Sequence, residues 1–358
     1  MIPDVVNVEI TIDPLEIKRN SFNDSVLEVI KAVRPAWFAG GDVQDQVKCK
    51  EFTGGISNIL FGYYQSWDDV VLMRVYGEGS GLMIDRDQEK INIQILHAAG
   101  RCAPLYGTFN NGVLYGFVQG VTLEVDTVRD EQIGKLIAQE MIELHKVKVP
   151  NQEVRSGLWK KMSRFLDLGP DEFADPETNK RYKETVKSKG ELREELAMLQ
   201  SHLEVLDSPV VFCHNDLLLK NILYDQDKGC VHFIDQEYAM YNYEHFDLGN
   251  HFCEYAGVDD VDFSRYPDRA HQLRWLRNYL ELKAVDAGQP DTVTDQDVER
   301  CYVITNKFAL AGHLFWGLWG LVQAKNSLID FGFLEYAQMK LGEYFNRKEE
   351  FLALKLPE

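Results

Sequence analysis

Val210-Val-Phe-Cys-His-Asn-Asp-Leu-Leu-Leu-Lys-Asn-Ile-Leu-Tyr224 and, after a five-residue gap, Cys230-Val-His-Phe-Ile-Asp235 carry the most specific pattern in the chain. Residues 210–213 form a short apolar run suited to a buried strand. That strand delivers His214, Asn215 and Asp216 to a loop. Residues 222–224 and 230–234 read as two more short strands, joined by the polar turn Asp225-Gln-Asp-Lys-Gly229. Such a hairpin returns Asp235 to the side of Asn221.

The spacing His-x-Asp-Leu-x-x-x-Asn, then a hairpin, then Asp, is that of a phosphotransferase catalytic loop. A hydroxyl nucleophile needs a carboxylate to orient it and accept its proton, which suits Asp216. Magnesium needs oxygen ligands facing phosphates, which suits Asn221 and Asp235. His214 completes the candidate catalytic pair with Asp216, as a prop for the loop more than as a chemical group. A lone Asp or His-x-Asp carries no weight; the whole constellation on strand, loop and hairpin does.

His214-Asn-Asp216, Ile234-Asp-Gln-Glu-Tyr238, Tyr241-Asn-Tyr243 and Phe246-Asp-Leu-Gly-Asn-His251 resemble the choline/ethanolamine kinase family. Leu217-Leu-Leu-Lys220 looks more like its ethanolamine branch. The resemblance runs from about residue 47 to the C-terminus. It implies an enzyme that uses ATP and Mg2+ to phosphorylate the hydroxyl of ethanolamine, the first step of the CDP-ethanolamine route to phosphatidylethanolamine. The alternatives are a choline or dual-specificity kinase and, further off, a non-catalytic nucleotide-binding scaffold. The scaffold reading expects the loss of Asp216, Asn221 or Asp235, and all three are present. A protein kinase should carry Asp-Phe-Gly and an activation segment, whereas Asp235-Gln-Glu runs straight on to Asp247.

The chain has 358 residues, 45% hydrophobic and 27% charged, with a net charge of −19. That length allows two lobes with real cores. The acidic balance argues against a nucleic-acid partner, which needs a basic surface. The six cysteines form no C-x-x-C pair and read as reduced, buried thiols of a cytoplasmic protein. The N-terminus lacks the basic and apolar regions of a signal peptide. The most apolar stretch, 308–322, is shorter than the roughly 20 residues of a membrane span and reads as a core helix.

Residues 6–12 alternate as a short strand would, and Asn23 caps an expected helix that ends at Arg34-Pro35. Residues 47–76 read as three strands. The Gly54-Gly55-Ile-Ser57-Asn58 turn between the first two can lie over phosphates, because glycines let backbone N–H groups approach. It is not a Walker loop. The resemblance places Gly54, Gly55, Ser57 and Asn58 over the nucleotide, and Arg74 on the third strand at its phosphates. A helix over 85–98 should offer Glu89, or else Asp87, as the partner of Arg74, with Ile84, Ile91, Ile95 and Ala98 on its apolar face. Residues 104–109 and 113–118 form a hairpin around Asn110-Asn-Gly112. Gly116-Phe-Val118 is the expected connection between lobes, with Gly116 and Val118 offering backbone to adenine.

The rest reads as helical: 132–144, 191–206, 244–256, 271–285, 294–328 and 333–345, with a polar excursion over 149–190. The expected architecture is α+β, a two-lobed protein-kinase-like fold. Residues 1–118 form a small β-rich nucleotide-binding lobe with an N-terminal extension over 1–46. Residues 119–358 form a larger, mainly helical lobe for catalysis and acceptor binding. Trp316 and Trp319 share a helix face by spacing. Aromatic faces and carboxylates together attract an ammonium. The resemblance assigns Glu237, Tyr238, Glu254, Trp316, Trp319, Phe331 and Tyr336 to the amino-alcohol pocket and Asp247 to bracing the catalytic loop. It is compatible with a homodimer.

Overall fold

Six strands, β1 (Val6–Val8), β2 (Lys48–Phe52), β3 (Asn58–Ser66), β4 (Asp69–Tyr76), β5 (Leu105–Phe109) and β6 (Gly112–Gly116), form one sheet in the order β1-β5-β6-β4-β3-β2. Neighbours are antiparallel except β1, which runs parallel to β5. Side chains alternate across a strand, so the two faces differ in kind. Ile59, Phe61, Tyr63, Val71, Met73, Val75 and Leu114 share a core with Ile12, Ile17, Val26, Val29, Ile30 and Trp37. The N-terminal extension therefore covers one face of the sheet. Its helices are α1 (Pro14–Arg19) and α2 (Asp24–Val33).

Polar contacts at the strand turns pin that cover. Arg34 Nε and Trp37 Nε1 each donate to Asp69, the first residue of β4, at 3.0 and 3.1 Å. Asn111 of the β5–β6 turn exchanges two hydrogen bonds with the backbone of Ile12. Asn23 caps α2 through Val26 N–H, as expected.

The computed structural model describes residues 5–40, 46–52, 58–77, 80–258, 260–327, 329 and 331–358. The chain divides into two compact units, Met1–Gln119 with Leu328–Phe331, and Gly120–Ser327 with Gly332–Glu358. In the first unit, α3 (Arg86–Ala98) is capped by Asp85. The expected apolar face of this helix holds at Ile84, which is buried, but fails at Ile91 and Ala98, which are exposed. Ile91 is 48% exposed, while Glu89, Asn92, Ile93 and Leu96 are buried. The helix turns Glu89 inward towards a cation, and that rotation carries Ile91 out.

The second unit is mostly helical. Two small sheets lie within it: β7 (Val121–Thr122), β9 (Ile222–Asp225) and β10 (Cys230–Phe233) in the order β10-β9-β7, and β8 (Val210–Cys213) paired with β11 (Met240–Tyr243). The expectation that all structure after Asp235 is helical therefore fails at 240–243. Cys213 to Val210 runs antiparallel to Met240–Tyr243, which satisfies backbone groups that a lone buried strand would leave unpaired.

The helices are α4 (Glu131–His145), α5 (Leu158–Leu168), α6 (Pro176–Thr185), α7 (Lys189–Leu203), α8 (Glu244–Cys253), α9 (Arg269–Asp286), α10 (Asp295–Asn326) and α11 (Phe333–Ala353). The 32-residue α10 is buried along most of its length. No helix among the described residues is long and apolar enough to cross a membrane. Gly317 and Gly320 let α11 approach α10: a Cβ on Gly317 would lie 2.7 Å from Leu341, and one on Gly320 3.0 Å from Ala337 and 3.1 Å from Tyr336. This close approach sets the depth of Tyr336 against the tryptophans of α10. Of the six free cysteines, Cys213, Cys253 and Cys301 are buried, and the others are only half-buried.

Candidate active site

Strand β8 ends at Cys213 and the chain turns sharply at Asn215, whose φ is +68°. Asn tolerates this left-handed conformation better than most side chains. Its amide is fully used. Nδ2 donates to the carbonyls of Cys213 and Tyr238 at 3.2 and 3.0 Å, and Oδ1 accepts from Asn242 at 2.7 Å. The backbone N–H groups of His214 and Asn215 donate to the two oxygens of Asp247, at 2.8 and 2.7 Å. Burial alone would raise the pKa of Asp247. The hydrogen bond from His145 and that from the Asn215 N–H outweigh it and hold the carboxyl below its usual range.

His214 is fully buried. Its Nδ1 accepts the Asp216 N–H at 3.3 Å, so Nε2 carries the proton and donates to the Ile234 carbonyl at 3.0 Å. Burial pushes its pKa down, which keeps the ring neutral. His214 thus ties the Asp216 loop to the strand end beside Asp235 and acts as a prop.

Asn221 Nδ2 donates to the Asp216 carbonyl at 2.8 Å and to its carboxylate at 3.4 Å. This leaves Oδ1, the atom a cation would take. Ile234 N–H donates to the Asn221 carbonyl at 2.9 Å, so the hairpin does set Asp235 next to Asn221. Asp235 also stands in the left-handed region, with φ at +62°. Asp216 is partly exposed. Its pKa is pushed well above the ordinary carboxylate value by burial, then by Asp235, Glu254 and Glu237, with Lys340 opposing. Four carboxylates from the loop, the hairpin end and the end of α8 therefore share one field.

Glu237, Tyr238, Glu254, Trp316, Trp319 and Tyr336 are all buried in the second unit. Their rings meet edge to face: Tyr238 with Trp316 at 5.2 Å, Trp316 with Trp319 at 5.6 Å, and Trp319 with Tyr336 at 5.8 Å between centroids. Trp316 Nε1 donates to Asn250 Oδ1 at 2.9 Å, and Trp319 Nε1 to the Tyr238 hydroxyl at 2.6 Å. Phe331 belongs to the segment grouped with the first unit. Lys220 lines a separate cavity of about 320 Å³ with Glu124, Asp126, Asp260 and Arg265, without the aromatic residues.

Sequence reading passed over two groups here. Asn250 links Trp316 to the loop, since its Nδ2 lies 3.4 Å from the Asn215 carbonyl. Lys340 is 2% exposed and donates to Glu254 Oε1 at 2.8 Å. Its position four residues after Tyr336, on the same helix face, was the available signal.

In the first unit, Arg74 pairs with Glu89 of α3, which also accepts from Arg86 Nη1 at 2.8 Å. Arg74 and Glu89 are 6% and 2% exposed. Asp87 instead meets Lys90 at the surface. Leu60, Leu72 and Tyr115 share the sheet face of Arg74 by strand register. Phe52 and Phe117 approach to 6.0 Å. Asn58 Oδ1 lies 3.5 Å from both Gly77 N and Arg86 Nη2. The Gly116 N–H is taken by the Pro104 carbonyl at 2.9 Å, and Val118 follows just beyond β6. Gly54, Gly55 and Ser57 lie outside the described residues.

The choline/ethanolamine kinase family pattern matches residues 49–345. Ethanolamine kinase 1 of Mus musculus is 44% identical over 360 residues, covering 99% of this chain and 97% of its own. Ethanolamine kinase 2 of Rattus norvegicus is 46% identical over 346 residues, covering 96% and 86%. Among solved structures, a Plasmodium vivax ethanolamine kinase superposes with a TM-score of 0.76 at 24% identity, covering 94% of this chain and 95% of that one. The α+β protein-kinase-like fold is common to both sides of that superposition. With the family pattern running through both the sheet of the first unit and the loop, hairpin and helices of the second, the chain belongs to the choline/ethanolamine kinase family.

Proposed function

We propose that this chain is an ethanolamine kinase, transferring the γ-phosphoryl group of ATP to the hydroxyl of ethanolamine. The observation that carries the reading is the convergence of Asp216, Asp235, Glu237 and Glu254 beside the linked rings of Tyr238, Trp316, Trp319 and Tyr336. Such a site favours a small cation carrying a hydroxyl. The relatives named ethanolamine kinase, at 44–46% identity over nearly the whole chain, support the same acceptor.

Asp216 orients the hydroxyl and takes its proton. The oxygen then forms a bond to the γ-phosphorus as the bond to the ADP oxygen breaks. His214, Asn215 and Asp247 hold Asp216 in place. Asn221 Oδ1 and the Asp235 carboxylate are hard oxygen donors, a set that fits magnesium, and these two residues would hold the ion. Magnesium would supply charge neutralisation at the transferred phosphoryl. In the first unit Arg74, oriented by Glu89, would hold the α/β-phosphates and supply positive charge there. Six free cysteines suit a reducing cytoplasmic setting.

Ethanolamine presents three N–H donors, whereas choline presents three methyls and none. A site built to accept N–H groups discriminates strongly against a ligand that lacks them. ATP turnover with each acceptor tests the reading: kcat/KM for ethanolamine should exceed that for choline by at least about tenfold. Equal values, or a preference for choline, would leave a kinase of this family but not an ethanolamine kinase.

A further inference from the structure

Glu254 does not stand in the acceptor site as a bare carboxylate. Lys340, from α11, places Nζ 2.8 Å from Glu254 Oε1, and both side chains are almost wholly buried, at 2% and 5% exposure. The same ammonium lies 5.6 Å from the ring centroid of Tyr336, one turn earlier on the helix. Burial by itself would drive the Lys340 proton off, but Glu254 and Tyr336 outweigh it and the ammonium stays charged. A buried ion pair is weak evidence for stability, since well-packed apolar side chains in its place are often neutral or stabilising. A role in function is the better account of a pair at the wall of an acceptor site.

We propose that Lys340 is a positioning residue that sets acceptor specificity by fixing Glu254 and occupying one of its carboxylate oxygens. With Oε1 engaged by Lys340, Glu254 offers Oε2 in a fixed direction. A primary ammonium can use that direction because it donates N–H. A trimethylammonium cannot: it gains only from undirected charge, which Lys340 has largely neutralised, and from aromatic faces, one of which already has a cation beside it. Lys340 thus stabilises the N–H-donating acceptor and lowers the attraction for the methylated one. The inference rests on the ethanolamine reading above.

The test measures kcat and KM for ethanolamine, choline and ATP in the full-length wild type, Lys340→Met and Lys340→Arg. In Lys340→Met the ethanolamine-to-choline ratio of kcat/KM should fall at least about tenfold, through a lower KM for choline and a higher one for ethanolamine. The KM for ATP should stay within about twofold. Lys340→Arg keeps an N–H donor to Glu254 and should restore most of the ratio. Should Lys340→Met fail to fold, the double variant Lys340→Met/Glu254→Gln replaces the pair without an orphaned charge, and it should match Glu254→Gln alone in its acceptor ratio.

A wild-type preference for ethanolamine that Lys340→Met leaves unchanged would overturn the role of Lys340 alone. So would an equal loss for both acceptors, the mark of a merely structural lysine, or a double variant that differs in ratio from Glu254→Gln. A wild type without preference would overturn the ethanolamine reading and this proposal with it.

Discussion

Asp247 Oδ2 and His145 Nε2 lie 3.1 Å apart in the buried core of the second unit. His145 is held in turn by Tyr279, whose hydroxyl is 3.1 Å from Nδ1. The bond fixes a carboxylate whose two oxygens also receive the His214 and Asn215 N–H groups. Asp247→Asn keeps the shape but turns one acceptor into a donor that faces another donor. An unsatisfied buried group costs about 1–3 kcal/mol. We expect a lower Tm and a kcat at least roughly tenfold down, from a displaced Asp216. Unchanged kcat and Tm would show that the loop does not depend on this brace.

Asp216→Asn tests the chemistry more directly. The Asn221 Nδ2 bond to the residue 216 carbonyl survives the change, so the loop should keep its geometry. Only the proton acceptor is lost. We expect kcat to fall by roughly 10²–10⁴ while the Kd for Mg·ATP stays nearly constant. A variant with near wild-type kcat would remove Asp216 from the role of base.

The loop and hairpin were legible in the sequence because their function depends on local spacing. His214, Asp216, Asn221 and Asp235 sit within 22 residues, and a strand, a turn and a strand suffice to place them. The pairing of Arg74 with Glu89 was also legible, through the resemblance, because a kinase pairs a strand cation with an acid of the following helix and Glu89 was the first candidate. Contacts between distant segments were not. Nothing local marks 240–243 as the partner of 210–213. Nor does local sequence mark 5–40 as the cover of one sheet face, since Ile12 and Trp37 gain their burial from strands that come later. Lys340 was passed over within the helix expected at 333–345. Its charge is buried only because Glu254, 86 residues earlier, comes to meet it.

The Arg74–Glu89 pair leads to an asymmetric prediction. Glu89 accepts from both Arg74 and Arg86. Arg74→Ala leaves Glu89 still paired with Arg86, so stability should fall little. Glu89→Ala takes the acidic partner from a buried guanidinium, and breaking such a pair costs about 3–5 kcal/mol. We expect Glu89→Ala to lower Tm clearly more than Arg74→Ala. In Arg74→Ala the KM for ATP should rise roughly tenfold or more with the ethanolamine KM nearly constant. An effect confined to the ethanolamine KM would place Arg74 away from the phosphates.

Acid should weaken the second unit through its buried histidines before it protonates Glu244. His251 is fully buried against the rings of Phe252, Tyr255 and Trp275. Its Nδ1 meets the Leu217 carbonyl at 3.4 Å, while Nε2 has no hydrogen-bond partner. Charging the ring would place a second N–H where nothing accepts it. Burial accordingly pushes the pKa of His251 down to about 4, and that of His245 likewise. Between about pH 6.5 and 4 the unfolded chain binds these protons and the native chain does not, so stability rises with pH and is lost on acidification through that window. Each shift corresponds to roughly 3 kcal/mol across the whole window. Urea denaturation at half-unit steps from pH 7.5 to 4.5 should therefore show ΔG falling below about pH 6.5, and His251→Gln should flatten part of that slope. Glu244 acts lower: burial would raise its pKa, but Lys283, His245 and His145 outweigh it and bring it down to about 2. Its contribution is complete above its ordinary value and fades only as pH drops from about 4.5 towards 2. A His251→Gln profile parallel to wild type between pH 6.5 and 4.5 would show that this histidine is not held neutral in the native protein.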